Sequence, residues 1–370
     1  MMNRYLPSED ENIRVLGRTT ACRDPLTLFW TASGVELMTD GAELAVEMTA
    51  GFDTAEPWIE IQIDGTLSQR RMLERGPQRI GVFRGMTKGQ PRHVRILRAT
   101  QAANADPESF LQLNAVLTDG ALLPLDPPRL RLEIIGDSLT SGEGLGGARR
   151  ENAWNGCVFG VTGSYHDLLS RELNAETHIV SESGYGVYCS WCGMPAESIP
   201  PYYDRICGTV SGALNESLGA QEVWDFGAWK PDAVIVNLGT NDAGSFAQAG
   251  NEFPDRNWRC PMRVNADGSP FEEDRLLVYR AAADFLRALR AHNPGSYILW
   301  CYGMIPGVME ATLRDAVADY ARESKDERVE FMLLPPCGED ELGSRNHPGY
   351  PSHRKTADAL QARLTEILKL

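Results

Sequence analysis

No stretch of this chain is both long enough and apolar enough to form a membrane-spanning helix. The amino terminus, MMNRYLPSEDENIRV, has neither the basic start nor the apolar core of a secretory signal, so a cytoplasmic location is expected, a removed leader aside. Positive charge is in deficit: 36 Lys and Arg stand against 51 Asp and Glu, a formal net charge of −15. That surplus repels phosphate backbones and anionic headgroups, so no nucleic acid and no membrane surface is expected as a partner, and neutral substrates fit better. Cysteine is sparse and scattered, eight residues without the dense spacing of a disulfide scaffold. Cys189 and Cys192 form a lone Cys-x-x-Cys; Cys207 has no companion at zinc-ribbon spacing, and Cys157 and Cys260 are distant. Reduced structural thiols, no metal and no organic cofactor are the expectation.

What remains is an ordinary globular composition, 42% hydrophobic and 24% charged, in 370 residues without internal repeats or low-complexity tracts. That length is more than twice the common domain size of about 100–200 residues, so two domains are expected. Between residues 12 and 125 short alternating runs recur, such as Ile59-Glu60-Ile61-Gln62-Ile63, and no helical period is sustained. Asp40-Gly41 and Asp64-Gly65 stand where hairpin turns are wanted. This reads as a β-sandwich of jelly-roll size over 1–125, closed by the proline-rich LPLDPPRL. From 126 to 370 the pattern changes. Apolar strands at Leu130–Ile135, Asp232–Leu238, Tyr297–Cys301 and Val329–Leu334 alternate with amphipathic helices at 272–291 and 309–321. Alternation of that kind predicts an α/β domain with a doubly wound parallel sheet, whose ligand site lies beyond the carboxyl ends of its strands.

Gly136-Asp137-Ser138-Leu139-Thr140 falls at such a strand end. On its own, a Gly-Asp-Ser is better explained as a helix N-cap. Its setting just past the first apolar strand favours a nucleophile instead, since nearby helix-terminal N–H groups can stabilise an oxyanion. IIGDSLTSGEG resembles the nucleophile block of the SGNH hydrolases, and the later LGTND resembles their third block. The resemblance implies a three-layer fold and an oxyanion hole made of the backbone N–H groups of Ser138 and Gly184 and the side-chain amide of Asn241. Taken singly, Gly184 reads as a turn glycine and Asn241 as a loop cap.

A base must come from six histidines: His93, His166, His178, His292, His347 and His353. His93 and His292 are better explained as local structure. His347 precedes Pro348 and a closing helix with Leu360, Leu364, Ile367 and Leu368 on one face, as in the His-Pro block that ends SGNH domains; His353 is the nearby rival. The family usually places an aspartate two or three residues ahead of this histidine, where Arg345 and Ser344 stand here. The expectation is therefore a Ser138–His347 dyad, its imidazole oriented by a backbone carbonyl or by Asp340 or Glu341.

A β-sandwich followed by an SGNH domain is similar to carbohydrate esterase family 2, whose members remove acetyl groups from plant polysaccharides. In the second domain the likeness rests on GDSLTSGEG, SGYGV, LGTND and NHPGYPSHRKTADAL. It implies an acetylesterase acting on acetylated oligo- or polysaccharides of xylan or mannan type. Tyr188, Trp191, Trp258 and Tyr302 become candidate sugar-stacking residues, with core or loop packing as their plain alternative. A lipase or thioesterase acting on longer acyl chains, and a carbohydrate-binding protein with an inactive esterase domain, are the competing readings.

Overall fold

The computed structural model describes residues 2–370. Its first part is a sandwich of two antiparallel sheets. One runs in the order Asn3–Tyr5, Phe110–Thr118, Leu44–Gly51, Gly76–Phe83, with Leu26–Thr27 also on Phe110–Thr118. The other runs Leu122–Leu123, Gly34–Thr39, Arg92–Arg98, Trp58–Ile63, Thr66–Met72, with Arg14–Leu16 on Gly34–Thr39. Alternate side chains such as Val35, Leu37, Val46, Met48, Leu111 and Leu113 meet between the sheets.

The two Asp-Gly pairs do different work. Asp64 and Gly65 are both left-handed (φ 49° and 76°) and turn a tight hairpin. Asp40-Gly41 turns no hairpin: it carries the chain from one sheet to the other. A Cβ on Gly41 would lie 2.2 Å from Thr118 Oγ1, so the glycine is required by close approach.

The second part is a five-stranded, wholly parallel sheet in the order Ala175–Ser181, Leu130–Gly136, Ala233–Asn237, Tyr297–Tyr302, Val329–Leu333. Helices Glu272–His292 and Glu310–Ser324 bury Phe285, Leu289, Leu313 and Val317 against one face. Tyr165–Glu172 and Tyr350–Leu368 bury Leu168, Leu169, Leu360 and Leu364 against the other. This is the SGNH-hydrolase architecture. The strand at Ala175–Ser181 is absent from the sequence reading because Glu176 and His178 interrupt its apolar run. His178 is nevertheless buried, stacked on Trp229 at 3.7 Å and paired with Glu176 at 3.5 Å.

The sandwich does not hang beside the parallel sheet. Leu16, Ala32 and Leu97 belong to one of its cores, and Phe29, Trp30 and Ala102 to the other. Arg18 is fully buried, paired with Glu133 on the first parallel strand at 2.7 Å and lying over the Tyr203 ring at 4.6 Å. Removing one partner of such a buried pair typically costs about 3–5 kcal/mol, because a charge is stranded out of water.

The first parallel strand has the second on one side and the third on the other. The crevice at that reversal opens where the chain leaves Gly136 and Asn237, and this is where both motifs lie.

Candidate active site

Beyond Gly136 the chain makes a tight turn into the short helix Ser138–Ser141, which ends at left-handed Gly142 (φ 77°). A Cβ on Gly136 would sit 2.0 Å from Thr140 Oγ1, so the motif's glycine is a steric necessity. Asp137 caps the turn, accepting from Leu139 N at 3.0 Å. Ser138 Oγ lies 3.0 Å from His347 Nε2.

His347 is aimed from its other nitrogen. Nδ1 is 3.0 Å from the Arg345 carbonyl oxygen, so Nδ1 carries the proton and Nε2 is left to accept from Ser138. That carbonyl faces the ring because Arg345 and Asn346 are both left-handed, each with φ 55°. Two consecutive non-glycine residues in that region are strained and need holding. Arg345 N donates to Glu151 O at 2.7 Å and Arg345 Nη1 to Asn152 O at 2.7 Å. Asp340 and Glu341 do not reach the ring; Glu341 pairs with Lys355 at 2.6 Å. The acid nearest the imidazole is Glu143, 3.8 Å from Nδ1, a residue inside the quoted GDSLTSGEG whose role the sequence reading passed over.

The remaining histidines are placed elsewhere. His353 is wholly buried, accepts from Tyr165 N at 3.2 Å, and is pushed down to about 3 by burial, which disfavours its charged form. His166 is buried likewise and pushed down to about 4. His93 pairs with Glu36 at 2.7 Å, and His292 stacks on Phe226 at 3.9 Å.

Gly184 and Asn241 reach the same crevice. Gly184 is left-handed (φ 84°), and a Cβ there would meet Trp191 Cδ1 at 3.2 Å. The N–H groups of Ser138 and Gly184 have no acceptor among the described residues and are free to donate. Asn241 differs: its Nδ2 donates to Tyr185 O at 2.9 Å and to Asp137 Oδ2 at 3.2 Å, so both amide protons are already engaged. Asp137 is fully buried, and burial pushes its carboxyl up to about 7, with Asp242 and Glu143 adding and the Leu139 N–H opposing. Asp242 receives Val187 N, Tyr188 N and Cys189 N at 2.8, 2.8 and 3.1 Å, which ties the loop after Gly184 to the helix of Asn241; burial nonetheless raises its carboxyl above the usual range.

These groups open into a cavity of about 600 Å³ walled by Trp154, Tyr185, Trp191, Glu197 and Arg256 and, from the sandwich, by Gln101 and Asn104. Of the four aromatics proposed from sequence only Trp191 lines it. Tyr302 is 1% exposed and belongs to the core; Tyr188 packs against that core; Trp258 turns its indole N–H to Cys192 O at 3.0 Å. Trp154, 46% exposed beside the dyad, was missed, although a lone tryptophan in the polar stretch ENAWNG is a signal of its kind. Cys189 and Cys192 are both buried free thiols, and no group of metal-ligating side chains occurs among the described residues.

A serine and a histidine so joined at the switch point of a doubly wound sheet define a serine hydrolase. The chain belongs to the GDSL-like lipase/acylhydrolase family, whose sequence pattern matches residues 134–355. An acetyl xylan esterase from the rumen bacterium Butyrivibrio proteoclasticus is 37% identical, covers 100% of this chain and 99% of its own, and superposes with a TM-score of 0.96. An acetylxylan esterase/glucomannan deacetylase from Cellvibrio japonicus is 24% identical over 98% of this chain and 91% of its own length. A cellulase/esterase of Acetivibrio thermocellus is 26% identical over 92% of this chain, which spans only 37% of that longer protein.

Proposed function

We propose that this protein is a carbohydrate O-acetylesterase that deacetylates oligo- or polysaccharides of xylan or mannan type through an acetyl-serine intermediate. His347 Nε2 takes the proton of Ser138 Oγ as that oxygen attacks the acetyl carbonyl carbon. The N–H groups of Ser138 and Gly184 and the amide of Asn241 receive the oxyanion. Collapse of the tetrahedral adduct expels the sugar oxygen, which takes the proton from His347. Water, deprotonated by the same imidazole, then attacks the acetyl-serine; the acyl C–O bond to Ser138 breaks, the serine oxygen takes the proton back from His347, and acetate is released.

The 3.0 Å Ser138–His347 contact at the floor of an open, aromatic-flanked cavity carries this reading. The names of the relatives support the acetylated glycan as substrate. The cavity wall also favours a hydroxylated substrate over a long acyl chain, since Gln101, Asn104, Glu197 and Arg256 interrupt any apolar channel. An assembled dyad speaks against a purely carbohydrate-binding role.

The test is acetate release from acetylated xylo- and manno-oligosaccharides beside p-nitrophenyl esters of rising chain length, for wild type, Ser138→Ala and His347→Ala. Release from the sugars that both substitutions abolish is expected. Activity confined to long esters would move the assignment to a lipase, and an inactive wild type would end it.

A further inference from the structure

We propose that Glu143 is a positioning residue of the dyad, supplying from the nucleophile loop the negative charge that an aspartate near His347 would otherwise supply. The inference rests on the Ser138–His347 reading above. Glu143 is 2% exposed, a burial that a carboxylate tolerates only when paired and hydrogen-bonded. Its partners come from the segments that build the site. Oε1 accepts from Arg345 Nε and lies 3.8 Å from His347 Nδ1. Oε2 accepts from Ser183 Oγ at 2.8 Å, next to Gly184. Its own N–H donates to Ser138 O at 3.1 Å.

Two functions follow from one carboxylate. Mechanically, it pins the Arg345 side chain together with Asn152 O while Glu151 O holds that residue's backbone N–H, so the left-handed backbone keeps its carbonyl on Nδ1. Electrostatically, it favours the imidazolium that exists while His347 holds the serine proton. The charged groups paired nearest the ring are Glu143 and Arg345, and they oppose each other; Asp137 sits beside Ser138, its carboxyl pushed up by burial and by Glu143, and buried His353 is neutral.

The opposition gives a test with a sign. Glu143→Gln keeps an acceptor for Arg345 and an amide for Ser183 but removes the charge. With p-nitrophenyl acetate its kcat is expected to fall about 10- to 100-fold at nearly unchanged KM. The acidic limb of its kcat/KM profile should move to lower pH, because the base loses the charge that favours protonation. Arg345→Met removes the opposing charge and should move that limb to higher pH, while Glu143→Asp should restore part of the Glu143→Gln shift. A purely structural Glu143 would lower activity in these variants without moving either limb. Stationary limbs in folded Glu143→Gln and Arg345→Met overturn the proposal; should Glu143→Gln not fold, a stationary limb in Arg345→Met does so alone. Wild type inactive on the ester, or active Ser138→Ala and His347→Ala controls, would instead sink the dyad reading on which the proposal stands.

Discussion

The sandwich should be felt at the chemistry through Gln101. This side chain is 4% exposed, accepts from Ser183 N at 2.8 Å and donates to the buried carboxyl of Glu182. Ser183 precedes Gly184, so the bond fixes the segment that presents one of the proposed oxyanion donors. Gln101→Ala orphans one backbone N–H, worth about 1–3 kcal/mol when nothing replaces the acceptor, and deprives Glu182 of a donor. Because Gln101 lines the open cavity, water can partly re-satisfy Ser183, which puts the net loss near the middle of that range, about 2 kcal/mol. If that strain is relieved by letting the loop drift, kcat/KM falls about 30-fold at 1.4 kcal/mol per decade. The assay is p-nitrophenyl acetate hydrolysis beside urea unfolding, with Gln78→Ala as a half-buried sandwich control whose side chain donates only to Glu74 O. A Gln101→Ala enzyme within twofold of wild type would refute the claim that the sandwich holds the loop.

Removing the proposed third oxyanion donor by Asn241→Ala should lower kcat by about 10²–10³ with KM little changed, read by steady-state kinetics. Trp154→Ala should raise KM for acetylated oligosaccharides several-fold and leave p-nitrophenyl acetate nearly untouched, whereas Trp258→Ala, whose ring lies off the cavity, should spare both. Asp137 is raised to about 7 in the folded protein, so the native state holds its proton over a range where the unfolded chain has lost it. Its contribution to stability is full below the unfolded value of about 3.9 and is lost as pH rises through about 7. The urea midpoint should therefore fall between about pH 4 and pH 7 and level off above, and Asp137→Asn should flatten that fall. An equally steep fall in the variant would assign it to other groups.

Fold class was legible because both kinds of sheet write their periods into the chain. Two-residue alternation marks a half-buried antiparallel strand, and continuous apolar runs such as Ala233–Val236 mark strands covered on both faces. Where burial is achieved by pairing and stacking, the signal fails: Ala175–Ser181 hides a strand behind His178 and Glu176. Aromatic side chains were the least legible, since a ring fills a core as readily as it lines a cavity. Tyr302 and Trp154 show both outcomes.

By itself, then, the amino-acid order determined the local chemistry at strand ends: a glycine that Thr140 demands at Gly136, a serine just past the sheet, and a histidine ahead of the last helix. These depend on neighbours within a few residues, which sequence displays. Tertiary structure alone decided what surrounds them. It turned the Arg345 carbonyl onto His347, brought Glu143 to 3.8 Å from the same ring, set Asn241 against Asp137, and reached Gln101 and Asn104 across from the sandwich. The physical reason is range. A steric or capping requirement is satisfied within one turn of chain, whereas a buried charge or an unpaired N–H is satisfied by whatever the packing of distant segments places beside it.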